Sequence, residues 1–279
     1  MRGEPQSTVT ERFDAMAEHY DVLEPWYEHL YARLHAILGR ALAPPRAGRR
    51  RALDAGCGHG FQTERLAALG YEAHGVDLAA ALLARARGRV PGATFTRGDI
   101  TALPFARDTF DVVSCCGSTL SFVDDCDAAL AELARVLRPG GRLLLECEHK
   151  WSLDLAWAMA SALAGDRLGY GVSARAMREA LAAPKRTPLR LPYPDYGTLT
   201  LFDGADLRRR LADVGLRWRR AWGVHAVTNV LPSTVLHRRR LPASLRALYR
   251  LLRVLDTAAT RLPPARALAN SLVVLAEKR

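Results

Sequence analysis

Residues able to do chemistry gather at a few points along the chain. Arg51-Ala-Leu-Asp-Ala-Gly-Cys-Gly-His-Gly-Phe61 places an acid, Asp54, ahead of glycines at 56, 58 and 60, and a helix-like run from Gln62 to Leu69 follows at once. Glycine lacks a Cβ, so the backbone can turn sharply and approach a ligand closely. The helix that begins there points unpaired N–H groups at whatever occupies the turn. About twenty residues on, Tyr71-Glu-Ala-His-Gly-Val-Asp77 closes on a second acid, at the spacing from which a carboxylate reaches a ribose diol. Ala93 to Ile100 places a third, Asp99, and Phe110 to Ser114 opens into Cys115-Cys116-Gly117. Further on, Leu143-Leu-Leu-Glu-Cys-Glu-His-Lys-Trp151 brings Glu148 and His149 to the end of an apolar run, and His225 ends another. Imidazole is the side chain suited to take a proton near neutrality, so His149, oriented by Glu148, is the expected base and His225 the second candidate.

The elements that must position these groups alternate. Strands are expected near 51–55, 72–77, 93–97, 110–114 and 142–148, with helices near 61–69, 79–88 and 125–137; the last stops at Arg138-Pro-Gly-Gly141. Such alternation gives a parallel sheet with helices on both faces and a ligand site at the carboxyl ends of its strands, where the acids fall. Before this core, Thr10 to Leu42 reads as helical and Ala43 to Arg50 as a turn-rich basic connection. After it, residues 151–201 carry two helical runs, near 153–164 and 173–182, and then prolines interleaved with Tyr193 and Tyr196, a composition expected of a substrate lid.

In combination these stretches resemble the class I S-adenosylmethionine-dependent methyltransferases. Leu53-Asp-Ala-Gly-Cys-Gly-His-Gly60 is similar to that family's first motif, Val76-Asp77-Leu78 to its ribose-binding strand end, and Gly98-Asp99-Ile100 to its adenine-side contact. Leu103 to Val113 and Leu133 to Gly141 resemble its fourth strand and the turn before its fifth. The resemblance covers about residues 51–148. It implies a Rossmann-like α/β fold with a seven-stranded, mostly parallel sheet, an N-terminal helical cover, an inserted lid and C-terminal helical elements. By position, Asp54, Gly56, Cys57 and Gly58 would lie along the amino-acid part of S-adenosylmethionine, Asp77 and Leu78 at the ribose, Asp99 and Ile100 at the adenine, and Cys116 in the loop facing the cofactor. Tyr20, on the N-terminal helix, would fold over the site. Residues 203–215 resemble the helix before the family's sixth strand, expected over Arg217 to Val224, and residues 269–278 its seventh, antiparallel strand. The expected organisation is a cap over 1–50, a cofactor-binding core over 51–150, a lid over 151–201, and a remainder over 202–279 holding a basic insert at about 231–266.

Of the 279 residues, 49% are apolar, enough for a full core, and the formal net charge is +11. Between Ala205 and Arg266 there are fourteen Arg against three Asp and no Glu, so this segment alone carries the whole excess. Within it, residues 242–261 read as a basic amphipathic helix with Leu245, Leu248, Tyr249, Leu252 and Leu255 on one stripe. Such a helix can dock on its own domain, lie on an anionic membrane or meet a lipid-like substrate, or bind nucleic acid. The N-terminal residues lack the apolar core of a secretory signal, and five cysteines without metal-ligand spacing fit a reducing compartment; a cytoplasmic protein, free or peripheral to a membrane, is expected, with no metal. The function expected is methyl transfer to an oxygen or carbon nucleophile of a small-molecule, quinone or lipid-like acceptor. The alternatives are an RNA methyltransferase using the Arg-rich half, a non-catalytic binding module for the same cofactor, and a dinucleotide oxidoreductase, whose G-x-G-x-x-G spacing is broken at Phe61.

Overall fold

The computed structural model describes residues 9–16, 24–42, 50–182, 187–193, 197–238, 240–260 and 262–279. Tyr20 therefore lies outside the described residues. In chain order the elements are α1 (Val9–Met16), α2 (Pro25–Ala41), β1 (Arg51–Ala55), α3 (Phe61–Ala68), β2 (Glu72–Asp77), α4 (Ala80–Arg89), β3 (Thr94–Arg97), β4 (Phe110–Cys115), α5 (Cys126–Val136) and β5 (Leu137–Glu148). There follow α6 (Leu153–Leu163), α7 (Ala174–Ala182), β6 (Leu189–Tyr193), β7 (Gly197–Leu201), α8 (Gly204–Asp213), β8 (Leu216–Val224), α9 (Ser233–Leu236), α10 (Ala243–Ala259), α11 (Pro263–Ala267) and β9 (Ser271–Lys278).

Seven strands form one sheet in the order β3-β2-β1-β4-β5-β9-β8. All neighbours pair parallel except β9, which runs antiparallel between β5 and β8. The chain leaves β1 toward β2 on one side and later returns to place β4 on the other, so a crevice opens above the β1 end, where ligands bind in open α/β sheets. Covered on both faces, the central strands read as nearly continuous apolar runs: Ala52, Leu53, Val113, Leu143, Leu144 and Leu145 are all buried. One core lies between the sheet and α5 and α8, with Leu130, Leu133, Leu207 and Leu211 at its centre; the other packs α2 and α3 on the opposite face through Leu34, Leu38 and Leu66.

The helices start where local chemistry allows. Asp125 caps α5 by accepting from Ala128 N at 2.9 Å, Ser152 caps α6, and Asp203 caps α8. Pro25 opens α2, where its missing N–H costs nothing.

Two sequence expectations are corrected. The fifth strand begins at Leu137 rather than 142: Arg138-Pro-Gly-Gly141 bulges from it, since Leu137 pairs with Phe110 but Arg142 with Val112, which leaves extra residues on β5. Gly140 makes this possible with φ +72°, a conformation other residues rarely adopt. After β5, the expected helices α6 and α7 are followed by an antiparallel β6–β7 pair, and together they enclose a small core of their own around Tyr170, Met177, Leu189 and Leu191.

On α10 the buried stripe is rotated from the expected one. Tyr249 and Asp256 are buried and Leu245 and Leu252 half-buried, while Leu248 and Leu255 are 44% and 47% exposed. The polar anchors set this rotation. Tyr249 donates to Pro25 O at 2.9 Å, and Asp256, fully buried, meets His29 Nε2 at 2.9 Å and accepts from the backbone N–H groups of His225 and Val227. Burial by itself would raise the Asp256 pKa, but the His29 hydrogen bond and the charge of His225 hold it below the ordinary carboxylate value. Replacing Asp256 with Ala should leave the His29 and backbone donors unpaired and cost about 3 kcal/mol, read as a lower urea midpoint at unchanged m-value; a loss near zero would mean α10 is not pinned by this contact.

Candidate functional site

Two of the three acids, Asp77 and Asp99, line one cavity of about 310 Å³ together with Gly56, Gly58, Ile100 and Gly117. Asp54, one residue before the end of β1, is buried beneath the glycine turn and is not among the lining residues; Thr63 Oγ1 donates to its Oδ2 at 2.7 Å and its Oδ1 is buried without a partner. The turn exists because Gly56 has φ +73° and because a Cβ at that position would overlap Thr119. Its backbone is tied down from β2: Gly56 and Cys57 donate N–H to Val76 O, and Gly58 N–H to Asp77 Oδ2 at 2.8 Å. Asp77 also accepts from Ala79 N, and Asp99 from Thr101 N, so both carboxylates are held in fixed orientations at the cavity wall.

Desolvation dominates the electrostatics here. Burial pushes the Asp54 pKa up to about 7; hydrogen bonds from Thr63 oppose this and the charge of Asp77 adds to it. Burial raises Asp77 as well, against the backbone N–H groups it accepts from. Cys57 and Cys116 line the cavity, yet burial holds both thiols well above their ordinary values, as it does Cys115, so none is poised as a thiolate for redox or nucleophilic work. Among the described residues no three His, Cys, Asp or Glu side chains are arranged to hold a metal ion.

A second, narrower chamber adjoins the first across the turn Thr119–Phe122; Phe122 lines both, and Ser118 and Glu148 line the second. Its walls are aromatic, with Trp26 and Tyr27 from α2, Tyr170 from the α6–α7 connection, and Tyr193 from β6. Asp154 ties α6 to the C-terminal region by accepting from Tyr170 OH at 2.6 Å and from Ser233 Oγ and N at 2.7 and 2.9 Å. Glu148 accepts from Ser118 Oγ at 2.7 Å and from Asn270 Nδ2. Burial, reinforced by the neighbouring charge of Glu146, pushes the Glu148 pKa well above the carboxylate range.

The structure divides the expected catalytic residues. Glu148 lies in the chamber, but successive strand residues face opposite ways, and His149 lies on the other side, its Nδ1 on Ala269 O at 3.1 Å and its ring lining a separate cavity with Trp151 and Arg208. Glu148 therefore does not orient His149, and His149 does not face the crevice. His225 is fully buried behind the chamber wall, stacked on Trp26 with ring centroids 3.6 Å apart and bonded through Nδ1 to Thr228 Oγ1. Burial and the neighbouring His29 push its pKa well down, which makes it a packing residue for Trp26. The imidazole that does reach the chamber is His237, whose Nδ1 meets Glu24 Oε2 at 3.0 Å. It was hidden in sequence within the run His237-Arg-Arg-Arg240, and its partner lies 213 residues away. Also missed were Thr10 and Phe13 of α1, which line the first cavity; Phe13 meets Phe122 edge-on at 5.9 Å, and Asp14 accepts from Ala81 N.

The crevice at the strand switch, the glycine turn and acids at three strand ends define a nucleoside-cofactor-binding α/β protein. A methyltransferase-domain family model matches residues 53–145. Over 205 residues the chain is 31% identical to a ubiquinone/menaquinone biosynthesis C-methyltransferase of Roseobacter denitrificans, covering 63% of this chain and 78% of that protein. Over 158 residues it is 38% identical to a malonyl-(acyl-carrier protein) O-methyltransferase of Halorhodospira halophila, covering 54% and 52%. The chain spans about half the length of several of the curated relatives it matches. A solved structure of the complex between the Haloferax volcanii Trm112 methyltransferase activator and a methyltransferase shares the fold, with a TM-score of 0.59 at 18% identity over 95% of this chain and 97% of that one. The chain belongs to the class I S-adenosylmethionine-dependent methyltransferases, and its cofactor is S-adenosylmethionine.

The Asp54 geometry yields a stability prediction. Its folded pKa of about 7 lies above the unfolded value, so the folded state binds the extra proton and stability falls as pH rises from about 4 to 7. Asp54→Asn should then stabilise the ligand-free protein by on the order of 2–4 kcal/mol at pH 8 and by less at pH 5, measured by urea unfolding at both pH values. Equal effects at the two would show that Asp54 is ionised throughout.

Proposed function

We propose that the protein transfers a methyl group from S-adenosylmethionine to the hydroxyl oxygen of an aromatic, quinol-like acceptor, or to the ring carbon that this hydroxyl activates. The observation that carries this reading is the second chamber, aromatic on its walls and holding one imidazole backed by a carboxylate. The cofactor-side cavity fits the donor. Asp77 and Leu78 suit its ribose, Asp99 and Ile100 its adenine, the glycine turn lets the backbone approach its amino-acid chain, and Asp54, buried beneath that turn with Oδ1 unpartnered, attracts its ammonium group from below. Thr10 and Phe13 of α1 serve as the cover over this end, and the segment 151–201 as the lid over the acceptor.

When bound, the donor supplies an electrophilic methyl group on a sulfonium, which leaves as a neutral thioether. The chain's own contribution is alignment and proton removal. Glu24 at Nδ1 of His237 selects the tautomer with its proton there and leaves the Nε2 lone pair for the acceptor O–H. His237 takes that proton as the bond from acceptor to methyl carbon forms and the methyl–sulfur bond breaks. Glu148, fixed by Ser118 and Asn270 and with its pKa raised by burial, donates a hydrogen bond to a second acceptor oxygen when protonated. Trp26, stacked on His225, and Tyr27 offer flat faces to a planar ring, and Phe122 lies where the two cavities meet.

A phenolic acceptor is favoured over a carboxylate because no Lys or Arg occurs among the described residues lining the chamber, whereas Glu148 and Asp154 do. A carboxylate there would lack a cation. The quinone-pathway relative is in this respect the nearer analogue.

Three outcomes test the reading. Calorimetric titration should show micromolar binding of S-adenosylmethionine and S-adenosylhomocysteine, lost in Asp77→Ala; absence of binding in the wild type removes the cofactor assignments. Affinity for S-adenosylmethionine should weaken as Asp54 protonates, by about 20-fold between pH 7.5 and 5.5, and a flat profile would separate Asp54 from the ammonium group. With 1,4-hydroquinone and catechol acceptors and a radiolabelled methyl donor, His237→Gln should lose about 10²–10⁴ in turnover at unchanged donor affinity, while His149→Ala stays active; retained turnover in His237→Gln would refute the base assignment.

A further inference from the structure

Away from the two chambers, the face of the sheet covered by α2 carries a third cavity of about 810 Å³ between the C-terminal half of α2, the mid-portions of β8 and β9, and α11. Its position makes it independent of methyl transfer. Arg142, on its rim, lies six residues before Glu148 on β5, about 20 Å along an extended strand. The nature of the lining is one-sided: Arg33, Arg40, Arg142, Arg219, Arg220 and Arg266 converge on it, against the single carboxylate of Glu277.

That carboxylate is already engaged. Arg219 grips it with two hydrogen bonds, Nη2 to Oε1 at 2.7 Å and Nε to Oε2 at 3.1 Å, and its pKa is held down first by that hydrogen bond and further by the charges of Arg219, Arg142 and Arg217. The guanidinium groups of Arg40, Arg142, Arg220 and Arg266 therefore have no carboxylate partner among the lining residues. Several are pre-positioned by single contacts that leave further N–H donors of the fork available: Arg142 Nη1 donates to Ala41 O at 3.1 Å, Arg266 Nη1 to Ala221 O at 3.3 Å, and the Arg220 guanidinium lies 5.1 Å from the Trp222 ring centre. Between the arginines the floor is apolar, formed by Ile37, Trp222 and Leu275. A helix or strand that merely needed a solvated basic rim would spread these charges outward; here like charges from four elements are gathered around a concavity, an arrangement that an anion relieves.

We propose that this cavity is a binding site for a ligand bearing at least two phosphoryl groups, or one phosphoryl group on an apolar body, recognised by guanidinium forks in the way arginine matches phosphate oxygens. A free polyphosphate and the headgroup of an anionic phospholipid share that chemistry, and the concave, bounded shape favours such a compact group over a nucleic-acid strand.

The test uses the full chain in about 150 mM salt, where long-range attraction by the net charge is screened. Sodium tripolyphosphate is titrated calorimetrically, and phosphatidylglycerol vesicles, with phosphatidylcholine vesicles as the neutral comparator, are sedimented with the protein. The wild type is compared with Arg40→Gln/Arg220→Gln and with Arg175→Gln/Arg178→Gln, which removes the same charge from exposed α7, and unchanged S-adenosylmethionine binding reports that each variant is folded. One-site binding weakened about tenfold or more in the cavity variant, and unchanged within about twofold in the α7 variant, is the expected result. If tripolyphosphate binds so, the ligand class is a soluble polyphosphate; if phosphatidylglycerol vesicles alone bind so, it is a lipid headgroup. Equal weakening in both variants, no saturable binding to either probe, or binding of an RNA oligonucleotide alone would overturn the proposal.

Discussion

Burying an ionisable carboxyl at the centre of a sheet costs folding free energy, and the architecture around Asp54 follows from how that cost is met. Thr63, on the first turn of α3, supplies a neutral donor to one oxygen, which requires the helix to start within a few residues of β1. That leaves room only for the tight turn of Gly56, Cys57 and Gly58, braced by Val76 and Asp77 of β2. The other oxygen stays without a partner, buried beneath the glycine turn that lines the cavity. Burial thus weakens the ligand-free state and prepares it for binding in the same step, a trade familiar where function needs a group that the fold alone would not choose.

A second arrangement of buried acids forms the wall between donor and acceptor. Glu146 and Glu148 lie on the same face of β5, two residues apart, and share the donors of the Gly117–Phe122 turn: Ser118 N–H to Glu146, Ser118 Oγ to Glu148, and Ser121 Oγ accepting from Glu148 N. This network places the turn, and with it Phe122, at the junction of the two chambers. Two acids so close cannot both ionise cheaply, which makes a proton part of the wall. The proposed catalytic base differs from the sequence expectation for this reason: the strand end offers an acid whose pKa burial raises, and the imidazole that lines the chamber is His237, near the C-terminus of α9, with Glu24 just before α2.

The C-terminal basic segment divides by tertiary role. Some of its arginines are consumed in local pairs, as Arg209 and Arg210 are with Asp206 and Asp127. Others, Arg219, Arg220 and Arg266, meet Arg33 and Arg40 of α2 and Arg142 of β5 around one cavity. Helix α10 keeps Asp256 inward and leaves Leu248, Leu251 and Leu255 exposed; among the described residues no helix is long and apolar enough to cross a membrane.

Much of the core could be read from the chain because its signals are local. Apolar runs of strand length, glycines at a turn, and an acid two residues or fewer from a strand end are properties of neighbouring residues, and Gly56, Asp77, Asp99 and Ile100, named from their motifs, line one cavity while Asp54 lies buried beneath it. Cofactor chemistry belongs to this part, since backbone geometry and strand-end position dictate it. What the sequence by itself could not determine is which side of β5 faces the acceptor, how α10 is rotated, and which histidine has a partner. His149, His225 and His237 all stand near element ends and are equivalent as letters; contacts spanning 120 residues or more, to Ala269, Trp26 and Glu24, make one a backbone anchor, one a packing plate and one an imidazole open to the chamber. The arginine cavity is likewise assembled from α2, β5, β8 and α11. Side chains distant in sequence acquire their environments, and so their chemistry, only when the sheet brings them within a few ångströms, and that distance is a property of the tertiary fold alone.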